Sequence, residues 1–105
     1  MARNSHQSNA KYERQAQIFK ALSNPTRLRL LELLGRKERW ASELQEGLGI
    51  SKANLSQHLS ILRAAGVVAT QREGKQLYCG ITSPVKQAAA NLRNMADAVL
   101  RSNRR

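Results

Sequence analysis

The sequence predicts a mainly α-helical domain carrying one small β-hairpin, and three observations predict it. Leucines recur at helical spacing between Leu28 and Leu62, the period of helices that bury one side. Two strand-like runs, Val67 to Arg72 and Gln76 to Ile81, flank Glu73-Gly74-Lys75, and glycine in so short a connection marks a hairpin. A later seam of Val85, Ala88, Leu92, Met95 and Val99 is spaced 3, 4, 3, 4, which is an a/d repeat along one more helix. At 105 residues the chain is one domain's worth, able to bury roughly two-thirds of its unfolded surface. That supports a modest core and no large internal cavity.

Residues 1–10 (MARNSHQSNA) are polar and lack apolar anchors, so they read as a flexible N-terminal tail. His6 belongs to that tail, since nothing beside it completes a metal shell. The domain proper is read over 11–100. From Lys11 to Leu22, Tyr12, Ala16, Phe19 and either Ile18 or Leu22 share one side of a first helix. Ser23-Asn24-Pro25 ends it: Asn24 suits an N-cap and Pro25 the first position of the next helix. That second helix carries Leu28, Leu31 and Leu34, broadened by Leu30 and Leu33, with Gly35 as the expected C-terminal cap. A charged link, Arg36 to Arg39, leads to Trp40, expected to pack where a third helix begins because a lone Trp usually buries most of its surface. On the third helix Glu43 and Glu46 face out, and Leu44 and Leu48 face in.

The stretch from Ala41 to Leu62 organises the rest. Gly47-Leu48-Gly49-Ile50 breaks it into two helices, and Ser51 can cap the second. Leu55, Leu59 and Leu62 form one stripe of that helix. The opposite face holds Ala53, Gln57 and Ser60, with Asn54 and Ser56 at its edges and Lys52 at its leading end. An ordinary solvated face carries Glu and Lys; a face lying against base edges needs short hydrogen-bonding side chains. The pair therefore reads as a helix-turn-helix with a DNA-recognition helix. The alternative is a helical hairpin of any small α domain. The DNA-contacting set on this helix is Ser51, Lys52, Ala53, Asn54, Ser56, Gln57 and Ser60. His58 flanks the leucine stripe, so we expect it packed and hydrogen-bonded in preference to touching phosphate.

The recognition helix runs on through Arg63-Ala64-Ala65 to Gly66. The hairpin after it gathers Arg72, Lys75 and Gln76 at its tip, which makes it a wing able to reach phosphates or the minor groove. The competing view is a solvated turn whose charges keep it soluble. Thr82-Ser83-Pro84 is expected to cap and start the last helix. Its apolar seam either closes the core or meets another chain, and its alanines permit close helix approach. We expect a homodimer with Tyr12, Phe19, Val85, Ala88, Leu92, Met95 and Val99 at the interface. Residues 101–105 form a basic tail that adds non-specific attraction to DNA.

Eighteen Lys and Arg face seven Asp and Glu, a net charge of +11. Such an excess favours a polyanion and makes binding salt-sensitive. No run of about 20 apolar residues exists and the N-terminus shows no secretory pattern, so no membrane partner and a cytoplasmic location are expected. The one cysteine, Cys79, cannot form an internal disulfide, which fits a reducing compartment. An enzyme is not expected: there is no Ser–His–Asp or Cys–His constellation and no Gly-rich phosphate loop. The serious alternative is a sequence-neutral architectural DNA-binding protein. Such a protein would place Lys and Arg where this helix has Ala53, Ser56, Gln57 and Ser60.

Several segments in fixed order carry a resemblance: Ala21 to Leu31 (ALSNPTRLRLL), Ser42-Glu43-Leu44, Gly49-Ile50-Ser51, Ser56-Gln57-His58-Leu59, Leu62 to Val68 and Arg72 to Lys75. In these the chain resembles the ArsR/SmtB (arsenic-repressor) family of winged helix-turn-helix transcription factors. The resemblance implies four helices, a two-stranded wing and a fifth helix, with the first and last helices dimerising. It implies repression at an imperfect palindromic operator, lifted by an inducer, and DNA contacts at Lys52, Ala53, Ser56 and Gln57. Ala53 stands where members often have Ser or Thr. Trp40 and Ser42 stand where arsenic and cadmium sensors carry Cys-x-Cys, and neither supplies a thiolate. The last helix offers Asp97 and no His, too little for a zinc shell. No metal and no cofactor are therefore expected. Cys79 has no second cysteine to resolve it and reads as a buried structural thiol. An unidentified organic inducer, a protein partner, or no inducer at all remain.

Overall fold

The protein is seen in a computed structural model that describes residues 2–102, with side chains omitted for 2–8, 83, 84, 86–90 and 92. The side chains of His6, Ser83, Pro84, Ala88 and Leu92, and residues 103–105 of the basic tail, thus lie outside the described residues. The order is α1 (Ala2–Leu22), α2 (Pro25–Arg36), β1 (Arg39–Trp40), α3 (Ala41–Leu48), α4 (Lys52–Ala64), β2 (Val68–Glu73), β3 (Gln76–Ile81) and α5 (Ser83–Ser102). The stretch read as a tail is helical from Ala2.

Local chemistry accounts for the boundaries. Asn24 Oδ1 accepts from the backbone N–H of Thr26 at 2.9 Å and of Arg27 at 3.1 Å, satisfying donors that the first turn of α2 leaves open. Ser51 Oγ does the same for Asn54 N–H at 3.1 Å. Gly49, at φ +65°, closes α3 by donating to Gln45 O at 2.8 Å, a conformation that glycine adopts without a Cβ penalty. Gly35 does not cap α2. The helix continues through it to Arg36 and then straightens at Lys37, because the chain must enter β1.

That short strand was not expected. Arg39 pairs with Cys79 and Trp40 with Tyr78, making an antiparallel sheet of order β1-β3-β2. The hairpin is also tighter than expected. Glu73 pairs with Gln76, so the loop is Gly74-Lys75 alone, with Gly74 at φ +62°. The Trp40 and Tyr78 rings lie tilted against each other with centroids 4.8 Å apart, at the start of α3 as anticipated.

The core is assembled from one face of each element. Ala21 and Leu22 of α1, Leu30, Leu31 and Leu34 of α2, Leu44 and Leu48 of α3, and Leu55, Leu59 and Leu62 of α4 meet Val67, Val68, Cys79 and Ile81. Leu28, expected inside, is 44% exposed: at 100° per residue it lies about 200° round the helix from Leu30. No polar or charged side chain is buried among the described residues. Thr82 Oγ1 donates to Gly66 O at 3.2 Å, and Thr82 N–H to Val67 O at 3.1 Å, which ties the residue before α5 to the root of the wing.

Candidate nucleic-acid interface

Burial of Leu55, Leu59 and Leu62 fixes which side of α4 looks outward. Ser51, Lys52, Ala53, Asn54, Ser56, Gln57 and Ser60 are all exposed, as are Arg72, Lys75 and Gln76 on the wing. The fold brings part of this set together. Lys52 and Ser56 of α4 line a single cleft of about 240 Å³ with Arg72, Lys75 and Gln76, floored by Leu55, Leu59 and Leu77 and walled by the start of α3. Ala53, Asn54, Gln57 and Ser60 stand outside that cleft, on the projecting face. The result is a neutral ridge one helix wide, flanked by three cations. A ridge of this width is narrow enough for a major groove about 12 Å across, with cations placed where bordering phosphates would lie.

Two polar links that the sequence did not reveal hold this ridge. Arg27 of α2 places Nη1 at 3.4 Å from His58 Nδ1, while its Nε donates to the carbonyl of Ala21 at the end of α1. His58 is thus a half-buried, hydrogen-bonded histidine, turned towards α2. At the other end, Arg63 donates to Thr70 Oγ1 on β2 at 3.2 Å. Arg27 lay within the segments carrying the resemblance, yet its spacing named no partner 31 residues away.

Cys79 is fully buried on β3. Burial pushes its thiol above the ordinary value and outweighs the opposing pull of the Arg63 charge, so it stays protonated and inert near neutrality. Among the described residues no group of three or more His, Cys, Asp or Glu is placed to hold a metal ion, and none of the helices is long and apolar enough to cross a membrane.

Away from the ridge, α1 and α5 expose large apolar side chains: Tyr12 at 61%, Phe19 at 56%, Met95 at 58% and Val99 at 53%, joined by Leu100. Val85, the first residue of the seam, instead packs against the core.

Comparison with known proteins gives this geometry a context. A helix-turn-helix domain family matches residues 22–71. The helix-turn-helix-type transcriptional regulator Rv0081 of Mycobacterium tuberculosis is 43% identical over 74 residues, covering 70% of this chain and 65% of the relative. This chain thus spans just under two-thirds of that protein's length. In its crystal structure Rv0081 superposes with a TM-score of 0.76 at 37% identity, over 89% of this chain and 94% of that one. The transcriptional repressor SdpR of Bacillus subtilis is 38% identical over 74 residues, 70% of this chain and 82% of SdpR. The homodimeric winged helix-turn-helix DNA-binding domain of Mb0332 from Mycobacterium bovis, described as a possible ArsR-family transcriptional regulator, superposes with a TM-score of 0.83 at 29% identity, over 93% and 92% of the two chains. With its helix-turn-helix, its wing and these relatives, the chain belongs to the winged helix-turn-helix transcriptional regulators.

Proposed function

We propose that the protein is a sequence-specific transcriptional repressor that binds an imperfect inverted repeat in double-stranded DNA as a homodimer. The observation that carries this reading is the outer face of α4: exposed, small and uncharged at Ala53, Ser56, Gln57 and Ser60, with Lys52, Arg72 and Lys75 beside it. In this reading Ser56, Gln57 and Ser60 read base edges and Ala53 offers its methyl to a thymine. Ser51, Lys52 and Asn54 fix the helix on the backbone, and Arg72, Lys75 and Gln76 of the wing hold phosphates beside it. The excess of cations supplies the sequence-independent part of the affinity.

The dimer follows from the exposed apolar side chains of α1 and α5. Solvated side chains of this size seldom gather on a monomer without a partner, and a homodimeric relative of the same fold supports a second copy as that partner. Tyr12, Phe19, Met95 and Val99 then form the contact. Trp40 and Ser42 at the start of α3 cannot act as thiolate ligands, which argues against release by a soft metal and leaves an organic molecule, a protein, or no inducer at all.

Selection of tight-binding duplexes from a randomised library by the full chain tests this. The expected product is an inverted repeat with half-site centres about one helical turn apart, bound by a species that sediments as a dimer. A pool that stays random while binding strongly would replace this reading with a sequence-neutral architectural protein.

A further inference from the structure

We propose that Arg27 is a positioning residue for operator recognition: by tying the C-terminal end of α1 to His58 of α4, it sets the recognition helix relative to the helix that joins the two copies. The inference rests on the homodimer reading above and goes beyond it, since neither Arg27 nor His58 belongs to the DNA-contacting or dimerising sets.

The apolar side of α4 is held by leucine packing, which is non-directional and tolerates small rotations about the helix axis. Hydrogen bonds are directional. His58 sits one residue after Gln57 and one before Leu59, between the outward ridge and the core, and its Nδ1 receives the Arg27 guanidinium at 3.4 Å. The same guanidinium satisfies, through Nε, the carbonyl of Ala21, one of the last-turn acceptors that α1 cannot satisfy internally. Only a planar fork of several donors serves two acceptors in different directions; a lysine ammonium on its flexible stem does not hold that geometry. With Arg63 fastened to Thr70 at the far end, α4 is referenced to α1 near its middle and to the wing near its C-terminus. In a dimer joined through α1 and α5, the Arg27 link therefore governs the distance and twist between the two ridges. Its loss should relax the preference for one spacing between half-sites, while leaving each ridge able to read a single half-site.

The test uses the full chain and the duplex recovered by selection, with versions whose spacer is one base pair longer or shorter and a duplex carrying a single half-site. Wild type should prefer the selected spacer. R27Q and H58L should each lower that preference about tenfold, with half-site affinity nearly unchanged, and R27K should resemble R27Q. H58N, whose side-chain oxygen can replace Nδ1 as acceptor, should keep the preference. The double variant R27Q/H58L should lose no more than either single one, because both remove one link. Thermal melts by circular dichroism report whether each variant folds; if R27Q does not, the contrast between H58L and H58N decides. Unchanged spacer preference in R27Q or H58L, equal losses on half-site and full site, or additive losses would overturn the inference while leaving the dimer reading intact. Wild type that binds the selected duplex with no preference for spacing would overturn the dimer reading, and the inference with it.

Discussion

Gln57 carries both a donor and an acceptor on one amide, which is what the adenine edge presents in complement, and α4 holds it out into solvent. Gln57→Ala should cost about 1–3 kcal/mol on the selected duplex and much less on random DNA, measured by fluorescence anisotropy at one salt concentration. Equal losses on both would mean that the residue reads no base. Cys79 makes a different kind of prediction. Its thiol is raised above the ordinary value of 9.0 by burial, so the folded state holds the proton more tightly than the unfolded chain does. The stability that this contributes is complete below pH 9.0 and disappears as the pH climbs through the folded value. Urea midpoints of wild type should therefore fall more steeply above pH 9 than those of Cys79→Ala. A residue's own neighbourhood in sequence decides how much of this could be foreseen. The packed state of His58 followed from its place on the helical wheel. Its partner Arg27 did not, because a bond across 31 positions leaves no periodic trace.

At the level of elements, the helices were legible because their signals are local: leucine spacing, Asn24 before Pro25, and Ser51 before α4. Asn24→Ala should lower stability by about 1 kcal/mol, read from urea unfolding, since two backbone donors of α2 lose their acceptor. β1 escaped notice for the opposite reason. Two residues have no period, and their pairing with β3 depends on a strand 38 or 40 positions later. The same strand explains the misreading of Gly35: a glycine after a leucine stripe looks like a cap, yet the turn towards β1 is made at Lys37. The wing was legible as a hairpin, and its proposed role rests on Lys75 at the tip. Lys75→Ala should weaken binding to all sequences alike and flatten the slope of log affinity against log salt by about one unit. An unchanged slope would take the tip off the DNA.

Across the whole molecule, the apolar seam on α5 was expected to meet a second copy along its length, and the fold divides it: Val85 goes inward, against that expectation, while Met95 and Val99 stay outside. Met95→Asp should leave the fold intact, because the side chain is already exposed, and should yield monomers by sedimentation together with loss of tight binding to the inverted repeat. A dimer that survives this change would place the contact elsewhere. The net charge of +11 predicts that affinity for any duplex falls steeply with salt, so comparisons among these variants require one ionic strength. A last consequence concerns the ribbon that projects from the body. Isolated ribbons invite stacking against those of other molecules, because their outer backbone groups are unpaired. Here the two-residue stub Arg39–Trp40 occupies one flank of β3, and Arg72 and Glu73 leave charge along the outer strand. Concentrated solutions of the protein should accordingly resist fibre formation through the wings.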